Sequence, residues 1–144
     1  MLDTPKKIDI ILAFDYGTKK IGTAFGQKST QSIIPLNTIK NNSAIIESIK
    51  TLTQRWNPDC FVIGLPLDPI RRNTLVIAQI HKFIQKLVTE MNLPIFTIDE
   101  TLSTVDAKRE IFDKYGYKGF KKVPIDSIAA TIILEHWIKY HHTN

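Results

Sequence analysis

Ile8-Asp9-Ile10-Ile11-Leu12-Ala13-Phe14-Asp15-Tyr16-Gly17-Thr18-Lys19-Lys20-Ile21-Gly22-Thr23-Ala24-Phe25 is the stretch whose reading decides the fold. Ile10, Leu12 and Phe14 share one parity with β-rich neighbours between them, which is the pattern of a strand. Gly17 and Gly22 permit a tight reversal, and Ile21 to Phe25 read as the returning strand. Asp15 ends the apolar run. An acid in such a hairpin is costly to bury unless something positive meets it: a metal ion, a basic side chain or a ring of backbone N–H groups.

Outward from this hairpin, Ser32-Ile33-Ile34-Pro35-Leu36-Asn37-Thr38-Ile39 reads as a third strand, with Pro35 suited to an edge or a bulge. Asn41-Asn42-Ser43 break the chain and can cap a helix, along which Ile45, Ile46, Ile49, Leu52 and Trp56 follow at helical spacing. Asn57-Pro58-Asp59 stop that helix. Cys60-Phe61-Val62-Ile63 is a continuous apolar run, as in a strand buried on both faces, and Gly64 to Pro69 leave it as a rigid loop.

A second helix carries Ile77, Ile80, Ile84, Leu87 and Met91 on one side. Ile95-Phe96-Thr97-Ile98 is a further strand, with Asp99-Glu100 at its carboxyl end. Ser103-Thr104 can cap a helix carrying Ala107, Ile111 and Phe112. Lys114 to Val123, with two glycines and four lysines, read as a mobile loop. Pro124 suits the first turn of a last helix, with Ile125, Ile128, Ala129, Ile132, Ile133 and Trp137 on its apolar face. The order βββαβαβαα implies an α/β fold: a mixed sheet with helices on both faces, with ligands gathering at the carboxyl ends of its strands.

A chain of 144 residues with no linker, repeat or low-complexity segment is read as one domain over residues 1–144. The formal charge of +5 tilts modestly towards an acidic partner such as nucleic acid. Cys60 is the only cysteine, so no intramolecular disulfide forms, and its apolar setting reads as an inert buried thiol. No stretch approaches the ~20 apolar residues of a transmembrane helix, and the amino terminus lacks a signal-peptide plan. The expected location is cytoplasmic, with no membrane association.

Three acids stand out. Asp15 lies near the end of the first strand, Glu100 just past the last strand, and Asp126 in the first turn of the last helix. They converge if the first and last strands lie near the sheet centre and the last helix packs across them. Taken singly, Asp126 also suits the helix dipole and Glu100 a solvated turn. Converging carboxylates repel, and their oxygen donors suit Mg²⁺ or Mn²⁺ rather than zinc. No His or Cys spacing suggests zinc. His81 and His136 read as structural, and His141-His142 as surface. Two hard cations held by shared carboxylates can activate a water and stabilise the leaving oxygen in phosphodiester hydrolysis.

Four segments carry a family resemblance: Asp15-Tyr16-Gly17-Thr18-Lys19-Lys20-Ile21-Gly22, Val62-Ile63-Gly64-Leu65-Pro66-Leu67, Asp99-Glu100-Thr101-Leu102-Ser103-Thr104, and Asp126 to Leu134 with Ala129-Ala130 and Ile133-Leu134. They resemble, in order, the D-Y-G-x-K-R-I-G, V-G-L-P-L, D-E-R-L-[ST]-T and D-x-x-A-A-x-x-I-L motifs of the YqgF (RuvX) family. These are Holliday-junction-resolvase-like pre-16S rRNA nucleases with a ribonuclease-H-like fold. The resemblance spans nearly the whole chain. It implies that Asp15, Glu100 and Asp126 are the metal-binding, catalytic acids. The chain departs from the pattern in three places. Lys20 stands where the family usually has Arg, which keeps charge but loses bidentate phosphate geometry. Thr101 replaces an Arg beside the acids. The loop Asp68 to Asn73 lacks the usual glycine and offers Arg71 and Arg72 instead.

Lys19, Lys20, Arg71, Arg72, Lys118, Lys121 and Lys122 are the candidate contacts to a phosphate backbone. Tyr115, Tyr117 and Phe120 are interleaved with the last three, as base-stacking rings are. The leading expectation is a metal-dependent nuclease of structured RNA, acting in 5′-end processing of pre-16S rRNA during ribosome biogenesis. Ribosomal precursor particles are candidate partners, and the assembly expected is a monomer or homodimer. Alternatives are a Holliday-junction DNA resolvase and a non-catalytic RNA-binding ribosome-assembly factor. An actin-like ATPase shares a D-x-G-T-x-x-x-G hairpin, but that machinery needs a second lobe and a second phosphate hairpin.

Overall fold

The computed structural model describes residues 7–65, 74–99 and 125–140. Eight elements follow in chain order: β1 (Ile10–Asp15), β2 (Lys20–Gln27), β3 (Ser32–Lys40), α1 (Ile45–Trp56), β4 (Cys60–Leu65), α2 (Thr74–Glu90), β5 (Ile95–Asp99) and α3 (Ile125–Tyr140). The expected helix after Ser103-Thr104 and the loop from Lys114 to Val123 lie outside the described residues.

The sheet has the order β3-β2-β1-β4-β5. β1 to β3 form an antiparallel meander, and β1, β4 and β5 run parallel. The mixed sheet is therefore as expected, but β5 is an edge strand rather than a central one. Two strand spacings separate β1 from β5, about 10 Å. β4 also runs two residues past its apolar run. Gly64 pairs with Ile98 and Leu65 with Asp99, so those residues belong to the ladder rather than to a loop.

Strand alternation divides the core into two layers. Leu12, Phe14, Ile21, Phe25, Phe61 and Ile63 face α1 and α2, packing on Ile45, Ile49, Ile80, Phe83 and Leu87. Ile11, Ala13, Ala24, Cys60 and Val62 face α3, packing on Ala130, Ile133, Leu134 and Trp137. Phe83 is a buried member of the α2 stripe that the Ile77–Met91 spacing passes over, and its ring meets Phe14 edge-on. His81, expected to be structural, is exposed.

α3 is buried on all sides from Ser127 to Leu134, more deeply than a single apolar face requires. Small residues on β2 allow its close approach. A Cβ on Gly26 would lie 2.6 Å from Leu134 Cδ2. Thr131 Oγ1 donates back to Ile128 O at 2.6 Å, so that buried hydroxyl is satisfied.

β3 is an edge strand, as Pro35 requires, and Pro35 sits opposite Ala24. Its register shifts between the Ile21–Ile39 and Thr23–Leu36 pairs, a bulge. α1 starts after Asn42, whose Oδ1 accepts from Ala44 N at 2.9 Å, and it ends on Asn57 in the left-handed region at φ 48°. Below α1, Asp59 ties the amino end of β1: its Oδ2 accepts from the amides of Asp9 and Ile10, each at 2.8 Å.

Candidate active site at the carboxyl end of the central strand

Asp15 is the last residue of β1, half-buried, and opposite Gly22. It shares the parity of Ile11 and Ala13, so it belongs to the α3 side of the sheet. α3 runs back against β1. Its amino-terminal Ser127 receives the Thr23 amide at 3.4 Å, level with Phe14, while Leu134, two turns later, packs against Gly26, level with Ile11. The first turn of α3, which includes Asp126, therefore sits at the same end of the sheet as Asp15. Extending the β1–β4–β5 register puts Asp15 level with Gly64 and Ile98, one residue short of Asp99.

The turn after Asp15 is held from three sides. A Cβ on Gly17 would collide with the carbonyl oxygen of Lys20, so only glycine fits. Asn41 Nδ2 donates to Gly17 O at 2.8 Å, and Asn41 N donates to Lys19 O at 2.9 Å. Tyr16 alternates to the other face and packs its ring on Phe83, 5.4 Å between centroids. Lys19 and Lys20 stand exposed on the fixed turn.

Two contributors escape a reading of the sequence. Lys40 lies directly across from Lys20 in the β2–β3 ladder, and both are exposed. Like charges placed opposite each other oppose strand pairing, and a bound anion relieves that cost. Asn41 reads as a helix-capping residue but works as the clamp on the Lys19 turn. Neither follows from periodicity, because both depend on the shifted register of β3.

Of the candidate site residues, Asp15, Lys19 and Lys20 are brought together here. Asp126 belongs to the first turn of α3, its side chain outside the described residues. Glu100, Arg71, Arg72, Lys118, Lys121 and Lys122 also lie outside them. Among the described residues, no group of three or more His, Cys, Asp or Glu side chains is placed to hold a metal ion. No described helix is long and apolar enough to cross a membrane. Cys60 lies far down the sheet, fully buried, and burial pushes its thiol up to about 12. It is no nucleophile.

A family model described as "RuvX: Holliday junction resolvase" matches residues 9–140. A Buchnera aphidicola protein named "Putative pre-16S rRNA nuclease" is 42% identical over 133 residues, covering 91% of this chain and 97% of that protein. A Shewanella oneidensis protein of the same name is 40% identical over 133 residues, covering 91% and 94%. Among solved structures, the fowlpox virus Holliday junction resolvase superposes with a TM-score of 0.60 at 18% identity, over 90% of this chain and 97% of that one. Thermus thermophilus RuvC, solved in complex with a Holliday junction substrate, superposes at 0.58 and 13% identity, over 90% and 95%. At these identities the structural likeness bears on the fold, which is that of the RuvC-like resolvases.

Proposed function

The chain belongs to the RuvX family, and on that premise we propose that it is a metal-dependent nuclease cleaving phosphodiester bonds in structured RNA, with pre-16S rRNA as its substrate. One observation carries this reading: Asp15 closes the central strand beside the first turn of α3, with Lys19, Lys20 and Lys40 exposed around it. The near-complete coverage of relatives named for pre-16S rRNA supports RNA as the substrate. Residues 1–144 act as one nuclease domain.

Asp15, Glu100 and Asp126 form the acidic centre. Asp126 follows from the placement of Ser127, one residue on. Glu100 follows directly on Asp99 and has the sequence parity of Phe96 and Ile98, which pack on the α3 side. The donor set fits a hard divalent cation: three carboxylates supply oxygen ligands suited to Mg²⁺ or Mn²⁺. A pair of such ions, when bound, supplies an activated water and charge neutralisation at the leaving oxygen. Lys19, Lys20 and Lys40 hold the strand beside the acids, and Arg71, Arg72, Lys118, Lys121 and Lys122 extend that hold along the backbone. Asn41 keeps the Lys19 turn in place, so the cations are positioned before substrate arrives.

The test is purified protein with labelled pre-rRNA fragments and four-way DNA junctions, in Mg²⁺, Mn²⁺ or chelator. Metal-dependent cleavage of the RNA fragments alone is the expected result. Cleavage of the junctions alone makes the protein a DNA resolvase. Tight RNA binding without cleavage in either metal makes it an assembly factor.

A further inference from the structure

On the opposite face of the sheet from Asp15, a pocket of about 170 Å³ opens between the β1–β2 turn, the start of α1 and α2. It is lined by Tyr16, Asn41 and Asn42 on one side and by Gln79, Lys82 and Lys86 on the other, over Phe83 and Ile45. Tyr16 follows Asp15 in the chain, so its Cα lies about 3.8 Å from that of the acid. The pocket and the acidic centre thus share one rim of the sheet.

Three features describe its occupant. The floor is apolar and aromatic: Phe83 and Ile45 are buried, and Tyr16 packs on Phe83. The wall holds an unmet acceptor, because Gln79 Oε1 is buried with no hydrogen-bond partner among the described residues. A buried acceptor without a donor is costly, and a ligand N–H relieves it. The mouth is cationic: Lys82 and Lys86 are exposed, one helical turn apart, and no acid among the described residues lines the pocket. The space is smaller than a pocket for a whole drug-sized ligand, about 300 Å³ or more, so it suits a single planar ring.

We propose that this pocket is a subsite for one unpaired nucleobase of the substrate strand, close to the cleaved bond. The base lies against Tyr16, its N–H edge meets Gln79, and Lys82 and Lys86 hold the flanking phosphates. The inference rests on the nuclease reading and specifies which part of the substrate must be single-stranded.

The experiment measures binding in chelator, so it is independent of cleavage. Fluorescence anisotropy follows a labelled single-stranded RNA and a series in which each nucleotide in turn is made abasic. In the wild type, one abasic position weakens binding roughly 5- to 100-fold, the range of one base–aromatic stack. Tyr16→Ala abolishes that position's effect. Gln79→Leu, a wall change of similar size, equalises affinity among strands that differ only in that base. Lys82→Ala with Lys86→Ala lowers the log–log salt slope by roughly 0.7 for each phosphate released. A flat abasic series in a wild type that binds RNA overturns the subsite and leaves the nuclease reading standing. An abasic effect unchanged in both Tyr16→Ala and Gln79→Leu also overturns it. Failure of the wild type to bind RNA overturns both.

Discussion

The buried amide of Thr23 donates to Ser127 Oγ, 3.4 Å away and 104 residues on in the chain. Thr23 pairs with Phe14, the residue before Asp15. This single hydrogen bond ties the first turn of α3 to the hairpin whose first strand ends in Asp15. It joins two distant parts of the chain at the rim where Asp15 and the exposed lysines lie.

Asp15→Asn should remove cleavage while preserving the fold. The amide is nearly isosteric, so packing at the end of β1 survives, but the carboxylate charge proposed to hold a cation is lost. Removing an outer partner of a metal site typically costs 10–100-fold, so losing a direct ligand should cost more than about 100-fold. Single-turnover cleavage alongside a thermal melt checks this. Full activity with retained metal dependence would remove Asp15 from the mechanism. Glu100→Gln should behave alike.

The basic residues should set affinity rather than chemistry. Changing Lys118, Lys121 and Lys122 to Ala should weaken RNA binding and reduce the log–log salt slope by roughly 0.7–0.9 for each phosphate no longer neutralised. Lys40→Ala should do the same for a single phosphate, and it should also relieve the Lys20–Lys40 juxtaposition, so stability holds or rises slightly. Binding isotherms across salt decide both. A slope that does not move means the altered residues face away from the strand.

Much of this geometry is legible in the chain, and the exceptions share a cause. The hairpin from Ile10 to Phe25 is written in local parity and two glycines. The α1 stripe from Ile45 to Trp56 is written in helical spacing. What local pattern does not carry is strand order. Convergence of the three acids needs β5 near the centre, but tertiary pairing places it at the edge, beside β4. The bulge in β3 is equally silent. It decides that Lys40 meets Lys20 and that Asn41 reaches the Gly17 carbonyl. A line drawn through Ile77 and Ile84 passes over Phe83, although that ring stands three residues after the buried Ile80.

Gly26→Ala should destabilise the protein by overpacking. The added methyl would sit 2.6 Å from Leu134 Cδ2, in a layer where α3 is already buried. Forcing a methyl group into a filled core costs about 1–3 kcal/mol. Trimming the neighbour should recover part of it, so Gly26→Ala with Leu134→Ala should lose less than the sum of the two single changes. Urea titrations of the four proteins measure that coupling. Strict additivity would show that β2 and α3 can separate without strain.

Cys60 should be inert in the folded protein. Burial, with the neighbouring Asp59 charge behind it, raises the thiol from 9.0 to about 12. The folded thiol thus holds its proton where the unfolded one has lost it. Stability is unaffected below pH 9 and falls as the pH rises from 9 towards 12. A thiol reagent at pH 9 should label the unfolded chain quickly and the native protein only as it opens. Rapid labelling of the native protein would contradict the burial of β4.

Metal linkage separates a working acidic centre from a relict one. Carboxylates gathered in the fold disfavour one another, whereas the unfolded chain keeps them apart. Asp126 enters the first turn of a helix whose amino end lies beside Asp15, so two effects compete there. The positive end of the helix dipole favours its charge, and acids gathered in one centre would oppose it. If the acids form one centre, Asp126→Asn raises the melting temperature in chelator. Mg²⁺ or Mn²⁺ then stabilises the native protein and erases that advantage, by about 2.7 kcal/mol at 100 times the dissociation constant. If Asp126 only complements the dipole, the same change costs ~0.3–1 kcal/mol whether or not metal is present. Four melting curves distinguish the two. A destabilised Asp126→Asn variant, in a protein whose melting ignores metal, would rule out the three-carboxylate centre.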